Sequence, residues 1–497
     1  MGTIAETKYG KLEGIKENGI NKWLGIPYAK PPVGELRFKR TVECEPWNGV
    51  RYAKKHGSKP HQFANTSEEV GIESEDCLYM NIWAPENAKN SPVFVWIYGG
   101  AYAMGSCSEA YYDGTNFAKE GIVYVAFNYR LGVLGFYDFT MYDDSFDSNC
   151  GVSDQIMALK WVKENIEAFG GDPNNITIAG ESAGAASVTN MLAVPKAKGL
   201  FNKAIAESPL PGCVTSHNTA RLITDIYLKR LGLEASEVHK LKTMELEDIK
   251  KAALYVIDDT CSSYPGMYIP GPVLDDLIPR LPWEGIALGS SKGVKLIIGT
   301  NHDEGTLFIN KNKSMLPGGW KDVERMLRMN KCFDSLPKIH KLYDKFSEEM
   351  IQIQEIMKDR TFLVDSIKVA DAQSEKNDTW MYRFDYAPIS AKLNGLGATH
   401  AVEVSVALNN TKGEGIAYSF WRDTPEDIIK KFIENMHMSW VNFAKTGDPN
   451  GNLDIEWKKY DSKSRTTFVF DEENKVENNP AKDIYETWRD IKLYTDI

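Results

Sequence analysis

Residues 176–193 read Ile-Thr-Ile-Ala-Gly-Glu-Ser-Ala-Gly-Ala-Ala-Ser-Val-Thr-Asn-Met-Leu-Ala, and their order decides how the chain folds. Ile176 to Ala179 is a short apolar run with the look of a strand, and Ala185 to Ala193 is rich in small and apolar residues suited to a helix. Between them stands Gly180-Glu181-Ser182-Ala183-Gly184, a G-x-S-x-G pentapeptide. By chance such a match arises in roughly one chain of this size in five. Placement carries the signal. Glycines on either side of the serine let a strand turn sharply into a helix without Cβ clashes, and that turn lifts the hydroxyl above the sheet at a helix N-terminus.

The flanking sequence supplies the rest of a sheet. Val93 to Tyr98 (VFVWIY) and Ile122 to Asn128 (IVYVAFN) are apolar on both faces, as strands covered by helices on each side must be. From Asp154 the apolar period lengthens to that of a helix, through Ile156, Leu159, Trp161 or Val162, Ile166 and Phe169, and Gly170-Gly171-Asp172-Pro173 ends it. Val294 to Ile298 and Trp380 to Tyr386 are expected to be further strands. Charged amphipathic stretches at Ala220 to Leu254 and Asp322 to Arg360 predict helical insertions, and Pro425 to Ala444 predicts a closing helix. Strands alternating with helices imply an α/β fold with a mostly parallel central sheet, preceded by short N-terminal strands. No linker or repeat interrupts the chain, so residues 1–497 are expected to form a single domain.

Composition narrows function. Lys and Arg number 58 and Asp and Glu 69, giving a net charge of −11, which opposes binding of nucleic acid through its phosphates. No apolar run approaches the ~18 residues of a membrane span, and the opening residues lack the basic and apolar regions of a secretory signal. Seven scattered cysteines without a CxxC spacing predict neither a disulfide framework nor a zinc site, and with them a cytoplasmic location.

A serine hydroxyl is a weak nucleophile and needs a base, an acid that orients the base, and donors for the oxyanion. Gly99-Gly100-Ala101 directly follows the strand VFVWIY, where backbone N–H groups could face the serine. Asp303 and Glu304 lie just beyond the strand Val294 to Ile298 and are both candidate acids. Three histidines follow them. His340 sits among lysines and His437 inside an amphipathic stretch, both expected on helix surfaces, whereas His400 ends the loop Asn394-Gly395-Leu396-Gly397-Ala398-Thr399. The order serine, acid, histidine is that of an α/β hydrolase.

Further motifs carry a family resemblance over nearly the whole length. They are Leu24-Gly25-Ile26-Pro27-Tyr28-Ala29 with Pro31-Pro32, Glu75-Asp76-Cys77-Leu78-Tyr79-Met80-Asn81-Ile82, Asn128-Tyr129-Arg130-Leu131-Gly132, the run Gly151 to Gly184, and Phe443-Ala444-Lys445-Thr446-Gly447-Asp448-Pro449-Asn450. The chain resembles the type-B carboxylesterases of the carboxylesterase/cholinesterase group, above all the bacterial para-nitrobenzyl-esterase-like members. That resemblance implies the α/β-hydrolase fold and a serine carboxylesterase, with Ser182 as nucleophile, His400 as base and Glu304 as acid. It makes Gly100, Ala101 and Ala183 the oxyanion hole, assigns Ser208 and Glu181 supporting roles, and pairs Arg37 with Glu75 and Arg130 with Asp172.

Three departures matter. The oxyanion loop reads Tyr98-Gly99-Gly100-Ala101-Tyr102 where His-Gly-Gly-Gly-Phe is commonest, and Pro209 follows Ser208 where glycine is usual. Ser58-Lys59-Pro60-His61-Gln62 lacks the cysteine that partners Cys77 in secreted relatives, so Cys77 is expected to be a free thiol. The implied reaction is hydrolysis of small to medium aryl or alkyl esters through an acyl-enzyme, without cofactor or metal. The partners are a small-molecule ester and water, and the protein is expected to be a monomer or weak homo-oligomer. A lipase or amidase specialist would share this chemistry. A non-catalytic binding protein of the same fold would characteristically lose a triad member, and here all three residues are present.

Overall fold

The computed structural model of the chain describes residues 2–64, 71–310, 313–314, 317–413 and 415–494. Thirteen strands form its main sheet. In spatial order they run Gly2–Thr7, Gly10–Glu17, Ile20–Pro27, Tyr79–Pro85, Val123–Phe127, Ser91–Ile97, Gly171–Glu181, Lys203–Glu207, Lys295–Asn301, Thr379–Phe384, Thr466–Phe470 and Lys475–Asn478, with Val50–Tyr52 paired to the second. Neighbours from Val123–Phe127 to Thr466–Phe470 are all parallel, and antiparallel strands extend both ends.

The centre of this sheet reads as its sequence requires. Val93 to Ile97 and Val123 to Phe127 are buried throughout, because helices cover both faces. The helix Cys150–Asn165, continued by a tighter turn Ile166–Phe169, returns the chain to Gly171–Glu181, and Gly170 ends it at φ 82°. From Ser91–Ile97 the chain adds Val123–Phe127 on one side and then Gly171–Glu181 on the other. The winding direction reverses there, and such a reversal opens a crevice at the C-terminal strand ends.

Three expectations need correction. Arg130 pairs with Asp154 and not with Asp172: Nε donates to Oδ2 at 2.8 Å and Nη2 to Oδ1 at 2.7 Å, with both side chains buried. The helix begins at Cys150, which brings Asp154 beneath the arginine, while Asp172 accepts from the Asn174 N–H in its own turn. Pro425 to Ala444 does not close the chain. It forms Glu426–Phe432, the π-helical turn Ile433–His437 and Met438–Thr446, after which come two strands and the helix Lys482–Trp488. His437 is buried and not on a surface, because the wider π turn rotates its side chain inward to the Ala407 carbonyl, 2.9 Å from Nδ1. Arg37 and Glu75 do form the implied fork, with both contacts at 2.6 Å.

Candidate active site

Ser182 ends the strand Gly171–Glu181 and caps the helix Ala183–Ala193 with φ 57° and ψ −125°, a strained conformation for a residue with a side chain. Its neighbours explain how the turn fits. A Cβ on Gly184 would lie 1.9 Å from the Ile97 carbonyl oxygen, and one on Gly180 would lie 2.5 Å from the same atom. Only glycine allows the turn to press against the adjacent strand. The Ser182 N–H donates to the Glu207 carbonyl at 2.9 Å, and its half-buried side chain makes no hydrogen bond among the described residues.

His400 and Glu304 meet behind it. Nδ1 of His400 lies 2.5 Å from Oε2 of Glu304, whose other oxygen accepts the Asn301 N–H at 2.7 Å. Both side chains are buried, and the rings of Phe308 and Phe362 pack on the imidazole at 5.1 and 4.8 Å. Asp303, the other candidate acid, turns away. It meets His302 Nδ1 at 2.8 Å and accepts the Ala398 N–H at 2.8 Å, bracing the loop that carries His400. Although burial works against its charge, those contacts hold its carboxyl below the ordinary range.

Nε2 of His400 lies 3.0 Å from Oε1 of Glu181, and it forms a hydrogen bond to neither Glu181 nor Ser182. Burial alone would lower this histidine, but Glu181 and Glu304 outweigh it and raise the pKa to about 9. Glu181 is itself raised to about 7 by burial, against the pull of His400. One imidazole between two buried carboxylates thus retains a proton above its usual range.

Sequence reasoning missed the next shell of groups. Glu403, three residues after His400, accepts from Ser208 Oγ at 3.3 Å and from Asn301 Nδ2 at 2.5 Å. Burial, then Glu181 and Glu304, raises it to about 8. Glu207 is buried beside it, accepts from Trp440 Nε1 at 2.7 Å, and burial lifts it well above the carboxylate range. Ser208 therefore touches Glu403 and does not line the cleft in which Ser182 lies. The spacing from His400 to Glu403 was visible in the sequence, but nothing there marked the glutamate as buried.

Gly99-Gly100-Ala101 wraps the elbow. A Cβ on Gly99 would stand 2.7 Å from the Glu181 carbonyl oxygen and 3.0 Å from Ser182 Cβ, so the loop lies directly against the serine. Gly100 and Ala101 have φ 108° and 54°, and their N–H groups donate to no described residue. The N–H of Ala183 belongs to the first turn of its helix, where no intrahelical acceptor exists. Ala101, Ala183 and Ser182 line one cleft, whose walls also include Met267, Phe308 and Phe362, and Gly100 directly precedes Ala101. Among the described residues no cluster of metal-ligating side chains occurs.

A profile of the carboxylesterase family matches residues 2–488. The chain belongs to the carboxylesterase family. It is 38% identical over 488 residues to the para-nitrobenzyl esterase of Bacillus subtilis (strain 168), covering 97% of each chain, and 35% identical to an acylcarnitine hydrolase of Rattus norvegicus, covering 89% of this chain and 82% of the relative. A solved para-nitrobenzyl esterase superposes with a TM-score of 0.87 at 36% identity, over 98% of this chain and all of the other. A carboxylesterase of Geobacillus stearothermophilus gives 0.83 at 35% identity with the same coverage. The carboxylesterase has the α/β-hydrolase fold and is a serine ester hydrolase acting on small molecules with water. None of the helices among its described residues is long and apolar enough to cross a membrane.

Proposed function

We propose that this carboxylesterase hydrolyses small to medium aryl or alkyl esters through a Ser182-His400-Glu304 triad and an acyl-enzyme. The observation that carries the reading is the buried 2.5 Å contact between His400 Nδ1 and Glu304 Oε2, behind a serine held at a strained strand-to-helix turn. Glu304 fixes the tautomer in which Nε2 is the basic atom and stabilises the imidazolium once formed. For attack, Nε2 exchanges its contact with Glu181 for the hydroxyl of Ser182 and takes its proton. The oxyanion is received by the N–H groups of Gly100, Ala101 and Ala183, which have no competing acceptor in the described residues. The imidazolium protonates the departing alcohol, and water then repeats the sequence on the acyl-enzyme.

The aromatic and aliphatic side chains that wall the cleft suit the apolar body of such an ester. The same reading includes one catalytic domain, a cytoplasmic setting in keeping with the six described cysteines being free, and a monomer or weak homo-oligomer. Para-nitrophenyl acetate hydrolysis by the parent and by Ser182→Ala tests it. Loss of a triad serine should lower kcat by about 10⁴-fold or more. An organophosphate label recovered on Ser208, or activity retained in the variant, removes Ser182 from the role.

A further inference from the structure

A second, narrow pocket adjoins the cleft over Ser182, and Leu210, Cys213, Tyr268 and Thr361 line both. Arg360 stands on the wall of the second. It belongs to the π-helical turn Asp359–Leu363, next to Thr361 and two residues before Phe362, whose ring packs on His400. Its side chain is 12% exposed, so its charge lies mostly out of water.

The guanidinium is only partly used. Nη1 donates to Asp365 Oδ2 at 2.7 Å, whereas Nε, which is buried, and Nη2 donate to no described residue. Asp365 also faces Lys368 Nζ at 2.9 Å from its other oxygen. Two cations share one carboxylate, which leaves one positive charge in excess. Burial alone would favour neutral Asp365, but Arg360 and then Lys368 hold it ionised, so the trio keeps that excess. The unused Nε and Nη2 form the edge of an arginine that grips both oxygens of one carboxylate. Apolar or aromatic groups, from Leu210, Tyr268 and Leu493, make up much of the remaining wall. An anion reaching this wall must therefore be carried on a partly apolar body.

We propose that Arg360 is a carboxylate subsite adjoining the ester cleft, and that the enzyme takes esters bearing a second, free carboxylate, such as monoesters of dicarboxylic acids. This rests on the reading that Ser182 attacks an ester in that cleft. Without such a subsite the protein, at net charge −11 and with Glu181 and Glu304 near the reacting centre, should disfavour an anionic substrate.

The experiment compares kcat/KM for an anionic ester with that for a neutral ester of matched length. On the acyl side, 4-nitrophenyl hydrogen succinate, glutarate and adipate are set against 4-nitrophenyl butanoate, pentanoate and hexanoate. On the alcohol side, acetoxy-alkanoates are set against alkyl acetates. The parent should prefer the anion by about tenfold or more at one chain length in one of the two series, less so at high salt. Arg360→Gln should abolish the preference, Arg360→Lys should retain only part of it because the fork is lost, and Asp365→Asn should raise it. The parent's own preference tests the proposal even where a variant fails to fold. Hydrolysis of the neutral esters with an anion-to-neutral ratio below one at every length in both series would overturn the subsite alone. Failure to hydrolyse any neutral ester would overturn the Ser182 reading instead.

Discussion

Nε2 of His400 lies 3.0 Å from Oε1 of Glu181, the residue immediately before Ser182, while Nδ1 of the same ring lies 2.5 Å from Glu304. The imidazole is thus bracketed by two carboxylates in a buried site, and both raise its proton affinity. In the proposed triad the base must be neutral to work, so Glu181 should oppose catalysis at low pH even as it would stabilise an imidazolium formed during the reaction. The effect has a definite sign. His400 is raised, so kcat/KM should rise with pH to an apparent pKa above the ordinary 6.5 of histidine, and Glu181→Gln should move that acid limb downward. A pH profile of the two proteins on a neutral aryl ester measures it. An acid limb unchanged by Glu181→Gln would mean that the contact does not control the base in solution.

The two neighbouring acids separate cleanly. Glu304 touches His400, whereas Asp303 meets His302 and the Ala398 N–H. Glu304→Gln should leave KM near that of the parent and reduce kcat by several orders of magnitude, since an amide at this position favours the wrong tautomer. Asp303→Asn acts only on the loop, so its effect should appear chiefly as a lower melting temperature. If Asp303→Asn lost turnover while Glu304→Gln kept it, the acid would have been assigned to the wrong residue.

How much of this was legible in the sequence depended on distance along the chain. The elbow was readable because strand, glycines and helix are adjacent and the constraint on each is local. The strands Val93 to Ile97 and Val123 to Phe127 were readable because burial on both faces leaves unbroken apolar runs. Composition and spacing left Asp303 and Glu304 open, and family resemblance chose between them. The partner of Arg130 could not be read, since Asp154 reaches it only through the exact start of a helix. The π turns at Asp359–Leu363 and Ile433–His437 each add one residue to a helical turn, so a 3.6-residue pattern assigns wrong faces to the residues in and beyond them, and His437 was misplaced in this way.

The Arg130 and Asp154 pair offers a test of stability independent of catalysis. Asp154 supplies both carboxylate oxygens to the guanidinium and accepts the Arg130 N–H at 2.9 Å, while Nη1 reaches the Lys39 carbonyl at 2.7 Å. Asp154→Asn would leave the arginine charged and buried without its counter-ion. Removing one partner of such a pair costs about 3–5 kcal/mol. Denaturant unfolding should therefore register a loss of that size, whereas Asp172→Asn, at a turn outside the pair, should change stability by less than about 1 kcal/mol. Equal losses would restore Asp172 as the partner.

Alcohol size should depend on the loop that faces Ser182. Ala101 is exposed on the cleft wall and its backbone sits at φ 54°, in the left-handed region. Because the loop carries no bulk beyond a methyl group there, space remains beside the scissile carbonyl, and esters of tertiary alcohols should enter. That space predicts measurable hydrolysis of tert-butyl acetate, slower than that of para-nitrophenyl acetate. Ala101→Val introduces two effects at once: its branched side chain fills that space, and a β-branched residue is strained at positive φ. Ala101→Gly removes both the methyl and the strain. The ratio of kcat/KM for tert-butyl to para-nitrophenyl acetate should consequently fall in the valine variant and hold or rise in the glycine variant. A ratio that falls in both would point to the fixed backbone of Ala101, and not the room beside it, as what admits the bulky alcohol.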